Sequence, residues 1–249
     1  MKSHFHLAIV LLLTVTGCKT AHMDSPLAEE TETWGVSGRQ GRLNLSRGLT
    51  FTFGPFTVED ARFGPIRTDG GFWETLLAPD TRMRQAYNFD LLDGRARVAT
   101  IGCVTRASEF VDDLLGWEWP VIAEYLDNTY RSGWIDCVID TDSDGAPTRF
   151  VMALDEDGMY ENWSGIAESE GGTWGVESRH RYASTPIPSR EPLGYLISDR
   201  EGAAIADVEV INDGAVRFVS GLDRDERHRS AALAGLLLLL PNLDDFFGE

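Results

Sequence analysis

Hydrophobic and polar positions alternate along most of this chain, in short runs that are separated by turns. Leu49–Phe53 alternates with a period of two, Gly54-Pro55 interrupts the pattern, and it resumes at residues 56–58. A period of two places the apolar side chains of a strand on one face. The same reasoning predicts further strands at residues 86–92, 95–104, 133–140, 148–154, 159–163 and 174–182. Residues 108–130 fit neither a strand nor a helix cleanly.

The C-terminal third contains the clearest strand pattern. Gly194–Ser198 is followed by apolar alternation at residues 204–211 and 215–220. The last two runs are joined by Asn212-Asp213-Gly214, a turn sequence typical of β-hairpins because its residues tolerate positive φ. We predict a three-strand antiparallel meander.

A helix is predicted over residues 224–240. Asp223 is the expected N-cap and Glu226 its capping-box partner, and the helix should stop before Pro241. Residues 231–240 are apolar on every face but cover only about 15 Å, too short to cross a bilayer. Such a helix is normally buried in a core. The predicted fold class is mostly β (α+β), an antiparallel meander or barrel packed around this C-terminal helix.

The other long apolar run, residues 7–16, is an export signal rather than an anchor, because a spanning helix needs about 20 apolar residues. It leads into Val15-Thr16-Gly17-Cys18, which resembles the lipobox of bacterial lipoproteins. The resemblance implies a signal peptide at residues 1–17 and a mature chain that begins at Cys18. It also implies a thioether-linked diacylglycerol and usually a third acyl chain, such as palmitate, on that cysteine. Two or three acyl chains anchor a protein stably.

The segment after Cys18 suggests how and where the protein is held. Lys19, rather than Asp, follows the cysteine, which in enteric bacteria points to the outer membrane. Residues 18–33 are polar and predict a disordered tether. Residues 34–249 contain no Pro- or Gly-rich linker and predict one globular domain.

The chain is strongly acidic, with a formal net charge of −18. Removal of residues 1–17 takes away Lys2 and no acidic residue, which leaves a net charge of −19. Such a surface repels phosphate backbones, so we do not expect a nucleic-acid partner. It also repels anionic headgroups, so membrane attachment falls to the acyl chains.

Two cysteines remain once Cys18 is assigned to lipid. Cys103 and Cys137 both lie in predicted strands of an exported chain, where an even pair favours a disulfide. Two buried free thiols are the alternative.

Residues 192–240 show a pattern of strands that ends in an apolar helix. The stretch GYLISDREGAAIADVEV, the Asn-Asp-Gly turn and AALAGLLLLL look like the tubby, phospholipid-scramblase and LURP-one-related group. The resemblance implies a barrel wrapped around a central helix, with lipid- or membrane-related binding in some members. No site motif of that group is matched, so no functional residue is carried over.

One internal similarity is present. Thr33-Trp34-Gly35-Val36, with Arg39 three residues on, recurs as Thr173-Trp174-Gly175-Val176 with Arg179. It suggests either a duplicated strand unit or chance.

Three alternating carboxylates, Asp140, Asp142 and Asp144, precede Gly145 and resemble the first half of a calcium loop. Val151, however, occupies the position where an EF-hand places its bidentate glutamate. An ordinary acidic turn between two strands is the alternative.

Support for catalysis is weak. The chain contains no Gly-x-Ser-x-Gly motif, and His180 is expected to be a half-exposed strand histidine rather than a general base. Trp117, Trp119 and Trp134 are more typical of a core than of a sugar-binding groove. We therefore assign no catalytic residue. We expect a cell-envelope lipoprotein with a binding or structural role. The alternatives are an envelope hydrolase with paired carboxylates and a calcium-stabilised interaction module.

Overall fold

The computed structural model describes residues 20–27, 31–39, 48–69, 80–112, 128–142, 146–156 and 160–240. Its strands and helix are β1 (Thr31–Ser37), β2 (Leu49–Phe53), β3 (Phe56–Phe63), β4 (Arg67–Asp69), β5 (Asp80–Asp93), β6 (Ala96–Asp112), β7 (Asn128–Thr141), β8 (Thr148–Glu156), β9 (Glu161–Ser169), β10 (Gly172–Arg179), β11 (Gly194–Ser198), β12 (Ala204–Glu209), β13 (Ala215–Val219) and α1 (Arg224–Leu238). The predicted signal peptide, Cys18, Asp144, Trp117 and Trp119 lie outside the described residues.

Twelve of the strands form a closed antiparallel barrel. The hydrogen-bonded order runs β3-β2-β1-β13-β12-β11-β10-β9-β8-β7-β6-β5, and β3 pairs with β5 to close the ring. The short β4 adds to β5 beyond the point where β3 leaves it. Closure removes the exposed sheet edges that an open sheet of this size would present. The mostly-β prediction is confirmed. Of the two predicted arrangements, a meander or a barrel, the structure shows a barrel.

The helix α1 fills the barrel. Residues 230–239 are all buried, on every side of the helix, and they join one apolar cluster with the inward side chains of the strands. Gly235 permits a close approach to the wall, because a β-carbon there would lie 3.0 Å from Val58 and 3.4 Å from Phe89. Burial of a leucine side chain contributes about 1.5–3 kcal/mol, so this helix is a main source of stability.

The inward side of the wall follows from the alternation seen in the sequence. Phe51, Phe53, Phe56 and Val58 are buried, while Thr52 between the first two faces outward. The predicted meander β11–β12–β13 is confirmed, and Asn212 adopts a φ of 56° in the turn between its last two strands.

The predicted start of the helix is confirmed, whereas its end differs from the prediction. The capping box of Asp223 and Glu226 is present, with a backbone hydrogen bond of 2.8 Å from Glu226 N–H to the Asp223 carboxylate. The helix ends at Leu238, two residues before the predicted end. Leu239 is the C-cap, and its N–H donates to Leu236.

Strands β6 and β7 extend beyond the segments predicted from sequence. They take in both described ends of the ambiguous stretch 108–130, where Ser108 lies opposite Ser132 with hydroxyl oxygens 2.6 Å apart. Pairing with a neighbouring strand therefore decides the conformation where the local pattern does not.

Cys103 and Cys137 are directly opposite each other in these two strands and form a disulfide, with α-carbons 4.1 Å apart. Both side chains point into the buried side of the wall. The predicted disulfide is confirmed. It links neighbouring strands across 34 residues of sequence.

The barrel has two rims. We call one the cavity rim; it holds the turns at residues 54–55, 94–95, 170–171 and 199–203 and the start of α1. We call the other the strap rim; it holds residues 180–193, residues 210–214 and the end of α1.

Candidate functional site

A cavity of about 210 Å³ opens at the cavity rim, between the start of β6, the end of β7 and the first turns of α1. Its lining includes Arg97, Thr141, Asp142, Arg224, His228 and Arg229. The cavity is smaller than the 300–1,000 Å³ typical of drug-sized ligands, so it suits a small polar molecule.

The charged groups of the cavity are mostly basic. Arg224 has no ion pair with any other described residue, and Arg97 lies only at the 4.0 Å limit from Asp90. Asp142 and Asp225 add two carboxylates to the lining. An open guanidinium binds carboxylate or phosphate oxygens with two parallel hydrogen bonds. The arrangement therefore fits a small anion, or a zwitterion whose cationic group meets the aspartates.

His228 is held at the edge of the cavity by a polar contact. Its Nε2 lies 3.1 Å from Asp93 Oδ2, at the end of β5, and its ring meets the edge of Phe56. The helix therefore presents this imidazole to the rim rather than to solvent.

Two tryptophans flank the start of the helix in equivalent ways. The guanidinium carbon of Arg227 lies 4.9 Å from the ring centre of Trp34, and that of Arg229 lies 5.4 Å from Trp174. Such cation–π contacts contribute about 0.5–1 kcal/mol at exposed sites. These are the two tryptophans of the internal sequence similarity, and they lie in β1 and β10. The repeated residues share one role, which is to hold the first turns of α1 against the wall.

A second polar assembly lies on the outer face of the barrel near the strap rim. We call residues 20–27 the strap, because they cross the outside of β12 before β1 begins. Asn212 donates to the Ala21 carbonyl at 2.9 Å, Ala183 N–H donates to the His22 carbonyl at 2.9 Å, and Asp24 N–H donates to the Arg181 carbonyl at 2.8 Å. The predicted tether thus differs from the structure in the strap, which contacts the barrel, and in residues 31–33, which belong to β1.

The strap covers a buried ionic cluster. Arg217 of β13 lies 2.7 Å from Asp207 and 3.1 Å from Glu209, both on β12, whose carboxylates are 0% and 2% exposed. Ser25 donates its hydroxyl to Asp207, and His22 Nδ1 lies 3.0 Å from Glu209. Each carboxylate therefore has one partner on β13 and one on the strap.

Met23 is the buried apolar contact between the strap and the barrel wall. It is 2% exposed and packs over Gly194. A β-carbon at Gly194 would come 2.5 Å from Met23 Sδ and 2.1 Å from the Val208 carbonyl oxygen. Only glycine therefore permits this approach of the strap to the wall.

Burial governs the protonation of this cluster. Removal from water raises the pKa of Asp207 above its ordinary value, although Ser25 and Arg217 act in the opposite direction. Burial tends to lower the pKa of Arg217, but its two carboxylate partners outweigh this effect and raise it. The cluster therefore keeps its arginine charged.

Sequence reasoning missed this cluster. Asp207 and Glu209 alternate with apolar residues in β12, which is the pattern of a strand with one solvated face. The covering segment lies about 180 residues earlier in the chain, so no local signal marks that face as buried.

The predicted calcium ligands lie at the cavity rim. Asp140 and Asp142 are exposed at the end of β7, and Asp142 lines the cavity. Asp144 lies outside the described residues. Within the described ranges no group of three acidic, histidine or cysteine side chains is placed to hold a metal ion. The calcium site stays a prediction.

His180 has structural partners on both sides. Its Nε2 lies 3.1 Å from the Ser178 hydroxyl and its Nδ1 lies 3.1 Å from the Ser189 carbonyl. Trp134 is 45% exposed on the outer wall, so it is not a core residue.

No helix in the described part of the chain is long and apolar enough to cross a membrane. Comparison with known protein families, with curated proteins and with solved structures returned no match.

Proposed function

We propose that this protein is a non-enzymatic binding protein of the bacterial cell envelope. Acyl chains on Cys18 hold it to a membrane, and the cavity rim binds a small anionic or zwitterionic molecule. The observation that carries the binding role is the cavity itself, where Arg97 and Arg224 face open space of about 210 Å³. The interior of the barrel is occupied by α1, so a ligand meets the protein at a rim.

The proposed relationship to the tubby, scramblase and LURP-one-related group has support from the architecture. Twelve antiparallel strands surround an apolar C-terminal helix, which is the arrangement that the resemblance implies. Ligand and membrane binding would be in keeping with such a relationship.

A hydrolase with paired carboxylates has less support. Asp207 and Glu209 are the buried neighbouring carboxylates in the described part of the chain, and both are engaged by Arg217. A catalytic acid or base needs a proton-transfer path to substrate, whereas the strap covers these groups.

Binding at the cavity rim can be tested by thermal unfolding with small carboxylates and phosphates. A ligand at one hundred times its Kd stabilises the folded state by about 2.7 kcal/mol and raises the Tm. We expect this rise for wild type and for Arg200→Ala, an exposed arginine in the β11–β12 turn of the same rim that does not line the cavity, but not for the double variant Arg97→Ala, Arg224→Ala. Absence of any rise, or an equal loss in Arg200→Ala, would refute the proposed site.

Lipidation has a separate test. Mass spectrometry of the N-terminal peptide should find acyl chains on Cys18, and Cys18→Ser should move the protein from the membrane fraction to the soluble fraction. An unmodified Cys18 would remove the membrane part of the proposal. For calcium, a Tm that is equal in millimolar Ca²⁺ and in EDTA would mark residues 140–145 as an acidic turn.

A further inference from the structure

The strap limits how far the barrel can move from its acyl anchor. Its first fixed residue is Ala21, whose carbonyl is bonded to Asn212 in the β12–β13 turn. Ala21 is three steps along the chain from Cys18, and a fully extended chain spans at most about 3.3–3.6 Å per residue, or about 10 Å in all. By contrast, a free tether over residues 18–33 would let the barrel turn in any direction.

We propose that the strap rim rests on the bilayer, with the hairpin of residues 180–189 in contact with lipid. This inference rests on the proposed acylation of Cys18. It assigns a direction to the molecule, because the cavity rim then faces away from the membrane and remains open to soluble ligands.

The hairpin is built next to the strap. Arg181 pairs with Pro188 across it, and Ser189 N–H donates to the His180 carbonyl at 2.7 Å. The outer side of the same hairpin bonds strap residues His22 and Asp24. The point where the acylated segment reaches the barrel is therefore the point where this hairpin projects.

The surface of the hairpin suits a membrane interface. Ile187, next to the Arg181–Pro188 pair of this hairpin, is 71% exposed, the highest value among the exposed large apolar side chains of the described residues. Pro186 and Pro188 on either side have no backbone N–H, so fewer donors lose water when this part of the hairpin enters the headgroup region.

The net charge around the hairpin is close to zero. Residues 178–193 carry three arginines and one glutamate, and nearby Asp24 and Asp213 bring the area close to neutrality. In a chain of net charge −18, this region is one that an anionic leaflet repels little.

The test uses the acylated full-length protein in vesicles of phosphatidylethanolamine and phosphatidylglycerol with brominated acyl chains. Ile187→Cys and, as a matched control, Glu201→Cys at the cavity rim are each labelled with bimane. We expect bromolipid to reduce the fluorescence of the label at 187 by about twofold or more, as for a group that enters the interface. The label at 201 should be unaffected.

A second variant asks whether the strap sets this orientation. Ten Gly/Ser residues inserted between Lys19 and Thr20 add a mean reach of about 17 Å. We expect the protein to stay on the vesicles while the quenching at 187 falls.

The outcomes separate the two proposals. Bound protein with no quenching at 187, or with equal quenching at 187 and 201, overturns the orientation and leaves the acyl anchor intact. If the wild-type protein, produced in a bacterium that acylates lipoproteins, carries no acyl chain on Cys18, the anchor is overturned, and the orientation with it. Quenching at 187 that persists with the inserted linker contradicts the role of the strap.

Discussion

The two rims of the barrel use arginine for different purposes. At the strap rim, Arg217 is 13% exposed and pairs with two carboxylates. These ion pairs link β13 to β12, whose carboxylates also bond the strap. At the cavity rim, Arg224 has no ion pair with another described residue and faces a cavity. A fully paired, buried arginine is structural, whereas an open one beside a cavity retains its capacity to bind.

The largest effect should follow from loss of the buried partner. Arg217→Ala leaves Asp207 and Glu209 in a site without their counter-charge, which we expect to cost about 3–5 kcal/mol in urea unfolding. Arg200→Ala, on an exposed turn, is the control and should change stability by no more than about 0.5 kcal/mol. Similar losses in both variants would contradict the difference between the rims.

The disulfide belongs to neither rim and provides a reference. Loss of the Cys103–Cys137 bond frees a loop with a sequence separation of 34, worth about 3–4 kcal/mol in the chain-entropy model. The double variant Cys103→Ser, Cys137→Ser should show this loss without a change in ligand binding at the cavity rim. Lost binding in a folded double variant would mean that the wall between β6 and β7 positions the cavity.

The strap cluster should also give stability a pH dependence. Burial raises the pKa of Asp207 in the folded state above the ordinary 3.8 of the unfolded chain. Between the unfolded-state pKa and the folded-state pKa, the folded state therefore binds more protons than the unfolded state. The free energy of unfolding of wild type, relative to Asp207→Asn, should therefore rise as pH falls through that window. Urea unfolding of both proteins from pH 7 to pH 3.5 measures this difference in the free energy of unfolding. A difference that falls as the pH is lowered would contradict a raised pKa of Asp207.

The smallest effect on stability should come from the open arginine. Arg224→Ala removes no hydrogen bond or ion pair to another described residue, so urea unfolding should change by less than about 0.5 kcal/mol. The same variant should weaken binding of small carboxylates or phosphates, measured by isothermal titration. A large loss of stability would show that Arg224 is structural, as Arg217 is, and would contradict the proposed difference between the two rims.

The wall of the barrel was well predicted where one strand face is buried and the other solvated. Leu49–Phe53, the Asn212-Gly214 hairpin and the capping box of Asp223 all follow from local pattern, because side-chain period, turn φ and cap hydrogen bonds are short-range properties. The strap was not predicted, since His22 and Ser25 meet Glu209 and Asp207 only in three dimensions. The same reason hid the common role of Trp34 and Trp174, although their repeated sequence was visible.

The sequence by itself predicted most strands of the wall, the buried helix, a disulfide between Cys103 and Cys137 and an acylated Cys18, because each depends on local pattern, on residue type or on an even number of cysteines. Only the tertiary structure decided that the strands close into a ring, that the strap crosses β12, and that Arg224 and Arg229 of α1 line a cavity with β6 and β7. Those features depend on contacts between residues far apart in the chain. Their energies come from burial and pairing that no local window contains.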